Sequence, residues 1–466
     1  MAKVFPKVIH GFSGDVLVPG DSRYDRHRQV WNAMVDRRPA LIARCTDRND
    51  VIAAVRFARR HDLDLAVHCG GHSVVGLSVP DGGVMVDLSP MGAVRVDPEQ
   101  RRAWVEGGAL LGALDRATQP FGLATTAGNV SHTGVGGLTL GGGMGWLARR
   151  YGLTCDNVAG FEVVTADGDV VRASAAENAD LFWALRGGGG NFGVVTAFEF
   201  HLHPVGTSAL LTELFYRPRD AHEAMRRWWD LLPDAPREAT LTAWTGTAEA
   251  QSYLSPDLHN RGLVSLGYVW VGDPAQGAGL LDSVRAAVPP AAQRVRELSY
   301  LQLQTMDDST EGHRWRRYWK GHYLRDLPDG AIDAFISRGV GGEIEDETDL
   351  GRLPAASLQA YGGAIRDVAD DETAFSHRET AVEFVASARW TDPGEDEARM
   401  AAARRYGDAI EPFASGVYVN VLADDGESGL RRAYSPGKLR RLTALKRRYD
   451  PDNVFRHNHN IRPDGP

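Results

Sequence analysis

The segment LDLAVHCGGHSVVG, residues 63–76, decides how this chain folds. Its apolar first half predicts a β-strand, and that strand runs into two glycines, a histidine and a serine. Glycine adopts the backbone angles of tight turns and lets the chain approach a ligand closely. Such a turn can direct backbone N–H groups at a phosphate, with the side chain of His72 beside it. The segment therefore predicts a phosphate-bearing ligand at the end of a strand.

Two further glycine clusters follow, GLTLGGGMGWLARRYGL at 137–153 and LRGGGGNFGVVTAFEF at 185–200. Each contains a match to the dinucleotide fingerprint, but a Rossmann loop requires the order strand, glycines, helix. The match at 188–193 precedes a predicted strand, and the match at 143–148 follows a glycine-broken segment, which disfavours the Rossmann interpretation. Three glycine clusters at strand ends or turns instead suit a long phosphate-bearing cofactor such as FAD, held by backbone amides.

The composition is that of an ordinary globular protein long enough for two or three domains. The chain has 466 residues and a net charge of −9, which argues against a nucleic-acid-binding surface. It shows no signal peptide or membrane-spanning run, and its three cysteines are too few for a disulfide framework. We therefore expect a cytoplasmic protein without a membrane partner. His457 and His459 have no evident carboxylate or cysteine ligands nearby, so no metal site is predicted.

Helix and strand patterns divide the chain into three segments. Residues 1–205 alternate strands and helices, whereas residues 206–415 carry alternating apolar patterns that predict an antiparallel sheet covered by helices. Residues 416–466 hold a basic helix, Lys438–Arg448, which is predicted to have a solvated face and to end at Asp450. The predicted fold class is α+β.

Taken in order, these motifs resemble the berberine-bridge-enzyme-like branch of the vanillyl-alcohol-oxidase, or PCMH-type, family of FAD-linked oxidases. The resemblance covers nearly the whole chain, at 70–73, 136–145, 151–158, 185–196 and the closing motif RRYDPDNVF at 447–455. It implies an FAD-binding domain built from the first and last segments. It also implies that the middle segment is a substrate domain whose antiparallel sheet covers the flavin ring.

The resemblance further implies that the 8α carbon of the flavin is bonded covalently to His72. An imidazole suits this bond because a neutral ring nitrogen can attack an activated carbon. The tether should raise the oxidising power of the flavin and prevent its loss. The positions that match the family's FAD-binding residues are His72, Cys69, Gly70, Gly71, Ser73, Gly128, Val130, Ser131, Thr133, Gly136, Gly137, Gly141, Gly142, Leu153, Asn157, Val195, Tyr418, Asn458 and Asn460.

One departure from the family pattern concerns a second covalent bond. Many relatives also attach the flavin through a cysteine, and Val130 stands in that place here. Neither Cys69 nor Cys155 aligns with the missing residue. We therefore expect a single bond, through His72, and no 6-S-cysteinyl bond.

The other departure concerns the proton acceptor. Several relatives use a tyrosine just after a Y-x-N motif, and that position is Val421 here. Glu383, on a predicted strand, and Tyr361 are the remaining candidate catalytic pair, although a purely structural role for Glu383 is equally open. We expect a protein side chain to remove a proton from the substrate while hydride passes to the flavin. Dioxygen is expected to reoxidise the flavin.

The function predicted first is an oxidase that acts on a small alcohol, sugar or natural-product intermediate. The second hypothesis is an oxygenating or cyclising flavoprotein of secondary metabolism. The third is a catalytically silent flavin-binding protein. The oligomeric state is left open.

Overall fold

The architecture is described by a computed structural model that covers residues 8–340 and 350–464. In chain order its strands are β1 (Asp15–Leu17), β2 (Leu41–Arg44), β3 (Leu65–His68), β4 (Val84–Asp87), β5 (Val94–Asp97), β6 (Arg102–Glu106), β7 (Leu123–Ala124), β8 (Val158–Val164), β9 (Val170–Ser174), β10 (Val194–His201), β11 (His203–Pro204), β12 (Ser208–Tyr216), β13 (Ala239–Thr247), β14 (Gly262–Val271), β15 (Ala292–Ser299), β16 (Arg316–Leu324), β17 (Ala355–Ala360), β18 (Val382–Trp390) and β19 (Ala414–Gly416). Its α-helices are α1 (Tyr24–His27), α2 (Arg48–Arg60), α3 (Leu111–Thr118), α4 (Val135–Gly141), α5 (Ala148–Tyr151), α6 (Ala179–Leu185), α7 (Pro218–Asp230), α8 (Pro274–Gly277), α9 (Asp282–Ala287), α10 (Tyr300–Gln304), α11 (Asp329–Ser337), α12 (Ala364–Asp367), α13 (Asp396–Ile410), α14 (Gly426–Ala433) and α15 (Pro436–Tyr449). No helix in these ranges is long and apolar enough to cross a membrane.

The first sheet positions the GGHS turn. Its described strands have the order β1-β2-β4-β3, with β2 and β3 both parallel to β4. Helix α2 packs Val51, Ala54 and Val55 against this sheet, and Asp47 caps the helix by accepting the backbone N–H groups of Asn49 and Asp50. The parallel strands are buried, so β3 delivers the turn from a fixed core to the edge of the sheet.

A second, antiparallel sheet completes the N-terminal half. Among the described residues its order is β5-β6-β10-β8-β9, and β10 lies between β6 and β8. One face carries Phe161, Phe198 and Phe200, which pack with α3 and α6 in the largest apolar core. The glycine cluster at 187–193 therefore leads into a buried central strand.

The middle of the chain forms a large antiparallel sheet, with described strands in the order β15-β12-β14-β13-β17-β18-β16-β19. Side chains alternate across a strand, and β18 shows the consequence: Val382, Phe384 and Ala386 belong to the core under the covering helices, where Phe384 contacts α11 and α13. Val385 and Ser387 face the other way, toward a cavity shared with the N-terminal half. The prediction of an α+β fold with a helix-covered antiparallel sheet is confirmed, and the predicted domain bounds remain a prediction.

The C-terminal segment returns to the N-terminal half through a buried ion pair. Lys446 Nζ lies 2.7 Å from Asp450 Oδ2, and both side chains have no exposed surface. The same ammonium donates to the carbonyl oxygens of Asn191 and Phe455, each at 2.8 Å. One side chain thereby joins α15, the closing motif and the 187–193 loop.

The structure differs from the sequence prediction in two places. The block at 134–145 is not simply broken by glycine, because it contains α4. Helix α15 is not solvated along its whole basic run, because Lys438 and Lys446 are buried. In both cases tertiary contacts outweigh the local pattern.

We predict that Lys446→Ala strongly destabilises the protein. Removing the ammonium leaves the Asp450 carboxylate buried without its partner, which costs about 3–5 kcal/mol. The urea midpoint of unfolding, followed by circular dichroism on the protein as purified, measures the loss.

Arg440→Ala is the matched control. Arg440 is exposed on the same helix, so its truncation should change the free energy of unfolding by about 0.5 kcal/mol or less. Equal midpoints for the two variants would contradict the assignment of Lys446 as the anchor.

Candidate active site

A cavity of about 880 Å³ lies where the two halves of the molecule meet. Its walls come from the turn after β3, the 128–138 loop, the 188–195 loop, the open face of the large sheet and residues 418–421 and 455–459. Ligand sites in proteins typically have volumes of about 300–1,000 Å³. The cavity is therefore large enough for an extended cofactor together with a small substrate.

Two backbone segments meet without side chains between them at one end of this cavity. A Cβ atom on Gly70 would lie 2.3 Å from the backbone nitrogen of Gly134, and one on Gly134 would lie 2.5 Å from Cys69 Sγ. Only glycine fits at both positions. The contact fixes the GGHS turn against the loop that holds His132 and Thr133.

The GGHS turn presents free backbone donors to the cavity. Gly71 has φ +66°, in the left-handed region, and its carbonyl accepts the Trp31 N–H at 2.9 Å. Within residues 8–340 and 350–464, the backbone N–H groups of Gly71, His72 and Ser73 have no protein acceptor. Consecutive unpaired amides of this kind bind anionic groups.

Other features of the wall fit a bound cofactor. A Cβ atom on Gly137 or Gly190 would meet only open space, so backbone is accessible there. The buried Oδ1 of Asn458 lacks a hydrogen-bond partner, although the Nδ2 atom of the same side chain donates to Gly190 O at 3.1 Å. Donors, an orphaned acceptor and bare backbone therefore line one continuous space, as a long polar cofactor requires.

His72 stands at the centre of a stack of rings. Trp31 lies parallel to it, with ring centroids 4.9 Å apart and an interplanar angle of 16°, and Arg317 covers the far face of Trp31. Burial, together with the positive charge of Arg317 and the nearby His132 and His313 rings, holds the pKa of His72 well below its usual range. His72 is therefore neutral at physiological pH, as a nucleophilic imidazole must be.

The three histidines form a cluster, and ligand-capable nitrogens of all three lie within 4.8 Å of one another. His72 Nε2 is 2.7 Å from His132 Nδ1, and the His313 ring is tilted by 40° against that of His132 with centroids 5.3 Å apart. Such a cluster has the chemistry of a transition-metal site. The absence of a metal site stays a prediction.

The three cysteines differ in access to the cavity. Val130, the residue expected from the sequence to stand in place of a second attachment cysteine, lines it. Cys69 also lines it, but burial raises the pKa of its thiol to about 11 and its Sγ lies 3.4 Å from Ala109 O. Cys45 and Cys155 are fully buried away from the lining, and burial raises the pKa of both thiols.

Glu383 and Tyr361 are brought together, but behind the cavity wall. Tyr361 Oη donates to Glu383 Oε2 at 2.8 Å, and Tyr323 Oη lies 3.4 Å from Tyr361 Oη. Glu383 is 7% exposed, and burial raises its pKa from 4.5 to about 7. Tyr418, a neighbour of this cluster, lines the cavity and accepts the Gly143 N–H at 2.7 Å.

Most of the cofactor contacts predicted from the sequence converge on the cavity. Those that line it are Cys69, Gly70, Gly71, His72, Ser73, Gly128, Val130, Thr133, Gly136, Gly137, Val195, Tyr418 and Asn458. Six predicted residues do not: Ser131, Gly141, Gly142, Leu153, Asn157 and Asn460. Ser131 instead binds Asp308, through its backbone N–H and its hydroxyl, and Asn157 Nδ2 donates to Leu153 O at 2.8 Å behind the wall. Asn460 lines a smaller neighbouring pocket.

The sequence prediction missed several lining residues, among them Trp31, Asn129 and Asn420. It also missed His132, which contacts His72 but is not part of the cavity lining. His132 was detectable in principle, since it lies within a run that already holds predicted contacts. Asn129 Nδ2 donates to Gln359 Oε1 at 3.2 Å. The position of Asn129 opposite the large sheet depends on how the N-terminal half packs against that sheet, which no local sequence pattern indicates.

Comparison with known proteins identifies the family. The model described as "FAD binding domain" matches residues 39–174, and the one described as "Berberine and berberine like" matches 417–462. An FAD-linked oxidoreductase of Dictyostelium discoideum is 31% identical over 97% of this chain and 95% of its own length. The chain belongs to the berberine-bridge-enzyme-like family of FAD-linked oxidoreductases. The resemblance found in the sequence is thereby confirmed, and FAD is the cofactor that its cavity fits.

Two further members of this family show its range. Aclacinomycin-N/aclacinomycin-A oxidase of Streptomyces galilaeus is 31% identical over 96% of this chain and 89% of its own length. The crystal structure of 6-hydroxy-D-nicotine oxidase from Arthrobacter nicotinovorans superposes with a TM-score of 0.84 at 27% identity, covering 98% of this chain and 99% of that one. The FAD-linked oxidoreductase described here thus shares its whole architecture with an oxidase of known structure.

We predict that Glu383→Gln stabilises the protein at pH 8 but not at pH 5. The raised pKa means that the folded state holds a proton that the unfolded chain releases above about pH 4.5. The stabilising effect of that proton is complete below pH 4.5 and is lost as pH rises through 7. Glutamine resembles the protonated form at every pH, so it should gain about 3 kcal/mol at pH 8. Thermal melting at the two pH values measures the difference.

Glu379→Gln is the control, because Glu379 is exposed four residues earlier. Its melting temperature should follow that of the wild type at both pH values. A Glu383→Gln protein that melts like wild type at pH 8 would show that the carboxyl is ordinarily ionised.

Proposed function

We propose that this FAD-linked oxidoreductase is an oxidase whose flavin is attached through His72 alone. It takes hydride from a small alcohol, sugar or natural-product intermediate and passes the electrons to dioxygen. The observation that carries the proposal is the neutral, buried imidazole of His72 on the cavity wall, with Val130 in the place of a second attachment residue.

Two kinds of backbone site in the cavity wall would hold FAD. The amides of Gly71, His72 and Ser73 suit its anionic diphosphate, and Gly137 and Gly190 offer accessible backbone. When bound, FAD supplies the two-electron acceptor of the reaction.

The single attachment is supported by the state of the thiols. Attack on a flavin carbon needs a thiolate, and burial keeps the thiols of Cys69 and Cys155 protonated. Val130 has no nucleophile. His72 also lines the cavity, and burial and the nearby positive charge keep its imidazole in the neutral form that can act as a nucleophile.

Proton removal from the substrate is assigned to Glu383 and Tyr361. A carboxyl with a pKa of about 7 can accept a proton near neutrality, and the Tyr361 hydroxyl orients it. The pair lies beyond Tyr418, so the proton would reach it from the cavity past that side chain. The alternative hypothesis is that the Glu383 carboxyl has only a structural role. The Glu383→Gln variant distinguishes this role from that of a catalytic base.

The substrate would lie against the open face of the large sheet. Trp244, Trp319, Val385 and Ser387 line this part of the cavity, and they combine aromatic surface with a hydroxyl. The same sheet also contributes Thr247, Ser357, Arg317 and Arg389 to the lining. Aromatic surface together with hydroxyl and guanidinium groups suits a ring-bearing substrate with several oxygen atoms, such as a polyhydroxylated natural product or a sugar. The similarity to aclacinomycin oxidase, at 31% identity, favours a natural-product substrate within that range.

A second function, oxygenation or cyclisation of a biosynthetic intermediate, is favoured by one observation. Val421 lines the cavity where several relatives carry a tyrosine base. Loss of that phenol would suit a reaction other than simple alcohol oxidation.

The first test is the intact mass of the denatured protein. Wild type should carry one FAD, and His72→Ala should carry none because the nucleophile is gone. Cys69→Ser and Cys155→Ser should keep the full increase, since neither thiol forms a bond. Retention of the adduct by His72→Ala, or its loss in a serine variant, would overturn the single-attachment proposal.

The second test is turnover of a panel of alcohols, sugars and polycyclic natural products under labelled dioxygen. Hydrogen peroxide formed with unlabelled product supports the oxidase, and label in the product supports the oxygenase. A flavin that no member of the panel reduces would favour a silent binding protein.

We predict that Glu383→Gln lowers kcat by about 10²–10⁴-fold, the usual contribution of a general base. Tyr361→Phe should have a smaller effect, because it removes the orienting hydroxyl but leaves the carboxylate. Stopped-flow reduction of the flavin by the best substrate measures both. Wild-type reduction rates in Glu383→Gln would assign the carboxyl a structural role.

A further inference from the structure

The two ring nitrogens of His72 have different environments. Nε2 is 2.7 Å from His132 Nδ1, a strong hydrogen-bond distance. Nδ1 is 3.3 Å from Thr133 Oγ1, which is long and weak. The stronger contact decides which nitrogen is engaged and leaves Nδ1 more available.

His132 is placed to accept a proton from His72 in one of its two neutral tautomers. Its own Nε2 is buried without a hydrogen-bond partner, whereas its Nδ1 is directed at His72. In a neutral pair with the proton of each ring on Nε2, His72 donates and His132 accepts through Nδ1. That arrangement exposes the lone pair of His72 Nδ1.

The surroundings hold the His72 ring in this orientation. Trp31 stacks on one face at 4.9 Å, and its ring nitrogen donates to Glu311 O at 2.7 Å. Trp31 is 1% exposed, so neighbouring side chains enclose it on all sides. The ring cannot rotate freely away from His132.

We propose that His132 is the proton acceptor that activates His72 for covalent attachment of the flavin. The inference rests on the proposed function, since it needs the His72 bond. His132 receives the Nε2 proton as His72 Nδ1 bonds to the carbon of the flavin 8-methyl group. His132 therefore acts in formation of the holoenzyme and not in substrate turnover.

The atoms and electrons of this step balance. A C–N bond would form between Nδ1 and the methyl carbon, and one C–H bond of that methyl would break. The methyl proton would pass to water, the Nε2 proton of His72 would pass to His132, and the two electrons of the C–H bond would be held by the cofactor. Dioxygen, the acceptor in the proposed function, would then take two electrons and two protons as hydrogen peroxide, which balances the two protons released.

The test compares His132→Ala, His132→Gln and His313→Ala, each purified as expressed in the presence of EDTA. The covalent fraction is read from intact mass and from the colour of acid-precipitated protein, and the rate of further attachment from incubation with excess FAD. His132→Ala should attach FAD about 10²-fold more slowly than wild type, because a general base is lost. Added imidazole should restore the rate by filling the space of the missing ring.

The other variants separate the role of His132 from that of the cluster. His132→Gln keeps an acceptor oxygen but no base, so it should remain slow even if His132→Ala folds poorly. His313→Ala should attach FAD at nearly the wild-type rate. His313 is exposed, its ring centroid lies 6.1 Å from that of His72, and burial, the main cause of the lowered His72 pKa, remains without it. His72→Ala with imidazole should remain non-covalent.

The outcomes distinguish this inference from the function beneath it. Wild-type protein without covalent FAD would overturn the proposed attachment itself. Covalent wild type together with rapid attachment in both His132 variants would overturn only the role of His132. Equal slowing by His313→Ala and His132→Ala would likewise overturn it, in favour of an effect of the whole cluster.

Discussion

The contact between the backbones at Gly70 and Gly134 is the constraint on which the site depends. The turn after β3 and the loop before α4 approach so closely that a Cβ on either glycine would overlap its neighbour. This approach places His72 beside His132 and sets one wall of the cavity. A methyl group there would push the two segments apart, and the imidazole pair would separate with them.

Burial keeps several ionisable groups in and beside the cavity uncharged. The imidazole of His72, the thiol of Cys69 and the carboxyl of Glu383 each have a pKa shifted toward the neutral form by desolvation. Neutrality has opposite consequences for them, because it makes an imidazole nucleophilic and a thiol inert. The same low-polarity surroundings thus select one attachment residue among several candidates.

The sequence predicted the local elements better than the contacts between them. The strand predicted directly after the glycine cluster at 188–193 follows from a short-range pattern, and it is observed as Val194–His201. The pairing of His72 with His132 joins residues sixty positions apart, so it depends on the glycine contact and no local pattern could indicate it. Lys446 reads as a solvated basic residue until the fold supplies Asp450 and two carbonyl groups.

The ion pair of Lys446 and Asp450 also has a consequence for biosynthesis. It anchors residues 455–459, which line the same cavity as the turn at 70–73. A ribosome therefore exposes the first wall of the cavity several hundred residues before the last, which at about 5–20 residues per second is a delay of tens of seconds. During that interval the nascent chain holds only part of the cavity, so the complete cavity forms only after the closing segment has emerged.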